Sequence, residues 1–361
     1  MISLTKVSLD DKCIQAIQDV LKTGQLAQGA RVEEFEESFA AYTGTRYAVA
    51  VNSGTAALHV ALLASGVEPG SEVITTPFSF IATANCCLYC DAVPVFADVD
   101  ERTFNIVPHL IEKKITPKSK AVIVVHLFGQ PCDMDEITAI CNKHNLVLIE
   151  DACQAHGAEY DGHKSGAFGI GCFSFYPTKN MTTGEGGIIT TNNEDIYQKA
   201  RKIRQHGQSQ RYVHDVLGYN FRMTDIAAAI GICQLKNLDT YNDKRISNAR
   251  FLSERIDGIQ GLIPPYIAPG RKHVFHQYTI KVTENYRLSR DELQQCLKLR
   301  NISSTVYYPT PIHNQPLYQK LGYHDSCPVC ESLANSVLSL PIHPGLANED
   351  LQSIIEALEN A

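Results

Sequence analysis

"CFSFYPTKNMTTGEGG", residues Cys172 to Gly187, is the stretch on which the reading of the whole chain turns. An apolar, β-prone run, Cys172-Phe173-Ser174-Phe175, halts at Tyr176-Pro177, presents one lysine, Lys179, and runs into glycines. Lysine is rarely buried without a partner or a task. Either Lys179 is a solvated loop charge, or it is an amine held for covalent chemistry.

Upstream of this stretch, from Arg46 onward, short apolar runs alternate with amphipathic segments. The runs 47–51 ("YAVAV"), 72–76 ("EVITT"), 93–99 ("VPVFADV"), 121–127 ("AVIVVHL") and 146–151 ("LVLIED") read as buried strands. Residues 55–66, 78–90 and 134–145 between them read as helices. Strands alternating with helices imply an α/β fold with a mostly parallel sheet covered on both faces. Downstream come a strand, "GGIITT", and helical patterns over 193–207 and 223–238. A separate charged helix, 240–256, is expected to bridge to a second domain. The polar loop "HGQSQRYVHDVLGYN" is expected to reach out of its own subunit.

At 361 residues the chain exceeds one ordinary core, so a large domain over 1–245 and a small C-terminal α/β domain over 246–361 are expected. The 32 basic and 39 acidic residues give a net charge of −7 with no basic block, which argues against a nucleic-acid partner. The longest strongly apolar run, 121–129, is far short of a membrane span. The N-terminus lacks the apolar core of a signal peptide, so a cytoplasmic setting is expected. Among 12 cysteines, Cys87/Cys90 and Cys327/Cys330 have the spacing of a four-thiolate zinc site. The alternative is reduced thiols packed as small hydrophobes. Nothing else looks like a zinc module, so no metal is expected.

Four features lie at the predicted strand ends, where open α/β sheets place ligands. "NSGTAAL", Asn52 to Leu58, is a strand end, a turn and a helix start; free N–H groups and two hydroxyls there make a phosphate seat. An ordinary capped helix would read the same way. Asp151, in "IEDACQAHGA", follows a buried strand and needs a cationic partner. Lys179 comes 28 residues later, and "PFSF", Pro77 to Phe80, offers a flat surface for a ring. Pyridoxal phosphate needs such a set: a lysine for its aldehyde, a carboxylate for its pyridine nitrogen and a clamp for its phosphate. A cofactor-free Schiff-base aldolase would leave Asp151 and "NSGT" unexplained, and no GxGxxG turn suggests a dinucleotide.

Nearly the whole chain resembles the DegT/DnrJ/EryC1/StrS family of PLP-dependent sugar aminotransferases. The motifs run in order: "GQLAQGARVEEFEESFAAYTG", "NSGTAAL", "TTPFSFIATA", "HLFGQ", "EDACQAHGA", "FSFYPTKNMTTGEGG", "GYNFRMTDIAAAIG", "VYYPTPIHNQP" and "LSLPIHPGL". The resemblance implies a fold type I aminotransferase with a seven-stranded sheet, forming a homodimer with shared active sites. It makes Lys179 the lysine that carries the cofactor and Asp151 the partner of the pyridine nitrogen. Gln154 would lie near the ring hydroxyl and Phe80 on the ring face. Gly54, Thr55 and Ser174 would seat the phosphate, with Asn220 reaching the partner subunit's phosphate.

The implied cycle takes an amino group from L-glutamate, stores it as pyridoxamine phosphate and delivers it to a nucleotide-linked keto-sugar. Some relatives carry histidine in place of the lysine and dehydrate; Lys179 favours amino transfer. "GYNFRM" is more similar to members acting at C4 than at C3. Arg222, Tyr308 and His313 are candidate substrate contacts, with structural hydrogen bonding as the alternative for each. His126, His156 and His206 receive no role. Amino transfer to a cyclitol ketone, or another PLP-dependent sugar modification, is the second reading. A non-enzymatic regulator would have lost the lysine or the acid, and neither is lost.

Overall fold

Seven strands form the central sheet of the computed structural model, which describes residues 1–361. They are β1 (Tyr47–Val51), β2 (Glu72–Thr75), β3 (Val93–Phe96), β4 (Ser119–Val125), β5 (Val147–Asp151), β6 (Ile170–Ser174) and β7 (Gly187–Thr191). Their order across the sheet is β1-β7-β6-β5-β4-β2-β3. The β2/β3, β2/β4, β4/β5 and β5/β6 pairs are parallel, whereas β7 runs antiparallel to both β6 and β1. Central strands buried on both faces must be apolar without alternation, which is why 121–125 reads "AVIVV".

Helices cover both faces. They are α1 (Asp11–Thr23), α2 (Ala30–Thr43), α3 (Gly54–Ala64), α4 (Ala82–Leu88), α5 (Pro108–Lys113), α6 (Met134–His144), α7 (Glu194–Arg204) and α8 (Asp225–Ile256). On one face Leu58, Val60, Ala61 and Leu62 of α3 pack on Val49, Ile123, Ile149 and Ile189. On the other, Phe35 and Phe39 of α2 meet Phe173 and Phe175 edge-on at centroid distances of 4.9 to 5.5 Å. Edge-on aromatic pairs add attraction beyond their buried area.

The helix expected over 78–90 begins only at Ala82, because Thr76 to Ile81 is held as a turn whose Ser79 and Thr83 hydroxyls face each other at 2.9 Å. The two helices expected over 223–238 and 240–256 are one continuous helix, α8, of 32 residues. It contains no proline and one glycine, Gly231, whose missing side chain admits the Phe35 ring: a Cβ there would lie 2.8 Å from it. At its start Asp225 accepts hydrogen bonds from the Gly29 and Val32 N–H groups, tying α8 to the head of α2.

The far end of α8 enters a second core that includes Ala249, Leu252, Tyr278, Ile280, Leu338, Leu340, Ile354 and Leu358. Its three-stranded antiparallel sheet comprises Leu262–Ile263, Tyr278–Val282 and Val337–Leu340. Helix Arg290–Leu299 starts on a capping box formed by Ser289 and Glu292. The stretch read as a polar loop forms a short exposed hairpin, Gln208–Gln210 with Val213–His214, presenting Tyr212 and Leu217 to solvent.

No helix is long and apolar enough to cross a membrane. No group of three or more His, Cys, Asp or Glu side chains is arranged to hold a metal ion. Cys87 and Cys90 lie in the core beneath α3, Cys327 and Cys330 in a different cluster, and all 12 thiols are free.

Candidate active site

The C-terminal ends of β4, β5 and β6 open on one cavity of about 620 Å³. That volume suits a small-molecule ligand. Asp151 closes β5 at this rim, in register with Val125 of β4 and Cys172 of β6. Its carboxylate is 5% exposed and accepts hydrogen bonds from the Thr83 hydroxyl at 2.7 Å and the Cys153 N–H at 3.3 Å. The Ser79 hydroxyl, 2.9 Å from Thr83, completes the chain of donors. No cation of the protein pairs with Asp151, and a buried carboxylate without one is costly. That vacancy fits a protonated ring nitrogen.

Lys179 follows β6 on a turn fixed by several bonds. Its own N–H donates to the Tyr176 carbonyl at 2.9 Å, and the Thr182 hydroxyl and Thr183 N–H donate to the Phe175 carbonyl at 2.8 and 3.0 Å. Next to it, the Asn180 amide donates to Asn242 of α8 at 2.8 Å and to the Val274 carbonyl at 3.0 Å. The backbone is thereby pinned while the amine itself, lining the cavity, bonds to no group of the chain. Burial lowers its pKa from the ordinary lysine value, and the nearby Cys153 and Asp151 offset part of that effect.

The "NSGT" turn is a capped helix start, and it leaves N–H groups free for an anion. Ser53 caps α3, its hydroxyl accepting from the Ala56 N–H at 3.1 Å, while the Gly54 and Thr55 N–H groups, in the first turn of the helix, have no intrahelical acceptor. A Cβ on Gly54 would lie 2.6 Å from that of Ser174, so only glycine lets the helix start approach the end of β6. This close approach brings the Ser174 hydroxyl to an anion seat at the positive end of α3. An unpaired carboxylate, an unpartnered amine and an anion seat on one cavity fit pyridoxal phosphate.

Gln154 is oriented at both ends: its carbonyl accepts from the Phe128 N–H at 2.9 Å and its amide donates to the Tyr308 hydroxyl at 3.1 Å. Phe80 is 59% exposed and stands 6.5 Å from the Tyr308 ring, presenting a bare aromatic wall to the cavity. The cavity thus gathers Gly54, Thr55, Phe80, Asp151, Gln154, Ser174, Lys179 and Tyr308.

It does not gather Asn220, Arg222 or His313. Asn220 and Arg222 lie beyond the sheet edge, where Arg222 bridges to Val51 and Asn220 to Gln205. His313 is buried with its Nε2 3.0 Å from Glu331, outside the cavity lining, an arrangement that favours its structural alternative. His126 is likewise scaffold: its Nε2 meets Glu150 at 2.9 Å, and Glu150 also accepts the N–H groups of Gly166, Phe168 and Gly169.

Cavity residues that sequence reasoning passed over are Thr83, Cys153, Glu185, His276, Gln277 and Tyr307. Thr83 had a signal, a second hydroxyl four residues after Ser79 at a helix start. His276 and Gln277 had none, lying in a segment that reads only as the approach to a strand.

Residues 7–359 match the model of the DegT/DnrJ/EryC1/StrS aminotransferase family. The chain is 41% identical over 335 residues to GDP-perosamine synthase of Caulobacter vibrioides, covering 92% of this chain and 90% of that one. It is also 41% identical over 348 residues to a UDP-N-acetyl-3-dehydro-alpha-D-glucosamine 3-aminotransferase of Acidithiobacillus ferrooxidans, covering 96% and 92%. The X-ray structure of S. venezuelae DesV in complex with a ketimine intermediate superposes with a TM-score of 0.92 at 38% identity, covering 96% of this chain and 93% of that one.

Proposed function

Because the chain belongs to the DegT/DnrJ/EryC1/StrS aminotransferase family and is an aminotransferase, we propose that it uses pyridoxal phosphate to move the amino group of L-glutamate to a nucleotide-linked keto-sugar, at C4 in preference to C3. One observation carries the reading: the unpaired Asp151 carboxylate, the unpartnered Lys179 amine and the free head of α3 share one cavity.

Bound there, pyridoxal phosphate supplies a carbonyl that takes up the amino group and a ring that accepts electrons from the reacting carbon. The Gly54 and Thr55 N–H groups and the Ser174 hydroxyl hold the phosphate. Asp151, steadied by Thr83, keeps a proton on the ring nitrogen. Gln154, fixed by Phe128 and Tyr308, positions the ring oxygen, and Phe80 covers one ring face. Lys179, its pKa lowered by burial, is the base that takes the proton from the substrate carbon and returns it on the far side of the transfer.

The chain's own cavity is short of positive charge for this task. Its charged lining residues are Lys179, Asp151 and Glu185, with no arginine to meet a phosphate and a sugar diphosphate. This deficit supports a second copy as partner, with Asn220 and Arg222 and the exposed hairpin beside them reaching the neighbouring cavity. Mixing Lys179→Ala with Asn220→Ala subunits should then restore activity that neither has alone; no recovery counts against sharing. We also divide the chain near residue 245, with the core from Ala249 to Leu358 as the second domain.

The position of amination rests on "GYNFRM", since the perosamine synthase and the 3-aminotransferase are equally identical to this chain. A panel of nucleotide-linked 3-keto and 4-keto sugars with glutamate, read by mass spectrometry, tests it. Amine should form on 4-keto substrates with release of 2-oxoglutarate. Amine on 3-keto sugars alone overturns the position, and amination of a cyclitol ketone alone overturns the substrate class.

A further inference from the structure

His276 and Gln277 are each 4% exposed, yet both line the cavity. Neither side chain has a hydrogen-bond partner in the chain: His276 Nδ1 is sealed in the interior, whereas its Nε2 and the Gln277 amide are unbonded without being sealed, on residues that line the cavity. Polar groups in a largely buried wall are nearly always satisfied, so an imidazole and an amide that are both left unbonded beside the cavity call for a ligand. They are not loosely held. The Gln277 N–H donates to the Phe128 carbonyl at 3.3 Å and the Val274 N–H to the Gly129 carbonyl at 3.0 Å, stitching this segment onto the turn after β4. Gly129, at φ +105°, must be glycine, since a Cβ would also lie 3.0 Å from the His276 backbone nitrogen.

The charge behind this wall is positive. Arg245 of α8 is 5% exposed, donates to the Phe275 carbonyl at 3.2 Å, leaves Nε without a partner and pairs with no carboxylate. Burial first, then the like charges of Lys179 and Arg245, push the His276 pKa well down and hold it neutral. A neutral imidazole and an amide offer N–H donors without charge, and an uncompensated cation behind them favours an anion in front. A sugar hydroxyl would take the hydrogen bonds but gain nothing from Arg245. The amino donor of the proposed reaction brings carboxylates, and the cavity holds no arginine to receive them.

We propose that His276 and Gln277 form a subsite for a carboxylate of the amino-acid donor, backed by the buried charge of Arg245. The inference rests on the aminotransferase reading above. The two half-reactions separate it from a structural role: donor saturation is followed by cofactor absorbance, and sugar amination is then followed from the amino-charged enzyme. In the holoenzyme, His276→Phe should weaken donor saturation about tenfold or more, the loss expected for hydrogen bonds to a charged group. Sugar amination should fall by much less, and His276→Asn, which restores an N–H, should recover most of the donor affinity. Calorimetric binding of glutarate, a dicarboxylate that cannot react, should weaken in step. Gln277→Glu alters charge with little change of shape and should impair donor and glutarate in the same direction. Unchanged donor saturation and glutarate binding in His276→Phe and Gln277→Glu would overturn the subsite, as would equal losses in both half-reactions. A wild-type enzyme that accepts no amino acid would overturn the underlying reading as well, and the wild type alone reveals that outcome.

Discussion

The two walls of the cavity are built on opposite terms. On the sheet side, the Lys179 amine apart, the polar side chains that face the cavity include three steadied by the chain itself: Asp151 by Thr83, Gln154 by Phe128 and Tyr308, Ser53 by Ala56. On the side of the C-terminal core, His276 and Gln277 are fixed only through their backbone, and their side chains bond to nothing. Groups steadied in advance suit an occupant that stays, because no reorganisation is needed when charge develops. Groups left open suit reactants that come and go. The difference supports the proposed division, with the cofactor on one wall and the exchanging substrates on the other.

Replacing residues on the sheet side is the strongest way to break that division. Lys179→Ala should lower turnover by at least about a thousandfold, since it removes the base proposed to move the proton. Asp151→Asn should cost about a hundredfold while shifting stability little, and Thr83→Val, which removes only the 2.7 Å donor to Asp151, about tenfold. Steady-state rates and urea midpoints on the same preparations check the series. If Thr83→Val matched wild type, the wall would not be preorganised in the sense argued.

The sheet-side wall was legible in the sequence because each of its parts is local. An acid ending an apolar strand, a Ser-Gly-Thr turn before a helix and a lysine after a strand are short-range patterns. Their meeting across 28 and nearly 100 residues follows from parallel strands that all end at one rim. The opposite wall was not legible. His276 and Gln277 acquire meaning only from the turn at Phe128 and Gly129, far away in sequence. The same holds for α8, read as two helices because its middle buries polar residues, Gln234, Asn242, Arg245 and Asn248, that interrupt the apolar stripe. His313, for which the sequence left a substrate contact and a structural bond open, is buried with its Nε2 3.0 Å from Glu331.

The smallest expected effect sharpens the comparison from behind the sheet-side wall. His156 is 1% exposed, between the rings of Phe173 and Phe175 at 5.4 and 5.6 Å. Burial first, then the positive charges of Lys179 and Arg245, push its pKa down to about 3. In the unfolded chain it titrates near its ordinary value, so between pH 6.5 and 3 the unfolded state binds the extra proton. Its neutral burial therefore destabilises the fold progressively as pH drops below 6.5, and has no such effect above it. His156→Leu removes the titration while keeping an apolar side chain of similar size. Relative to wild type, the variant should gain about 2 kcal/mol in going from pH 7 to pH 4.5, read from urea midpoints at both values. A constant gap would mean that His156 takes up its proton as readily in the folded as in the unfolded chain, and the aromatic layer under Lys179 would then be wetter than its packing implies.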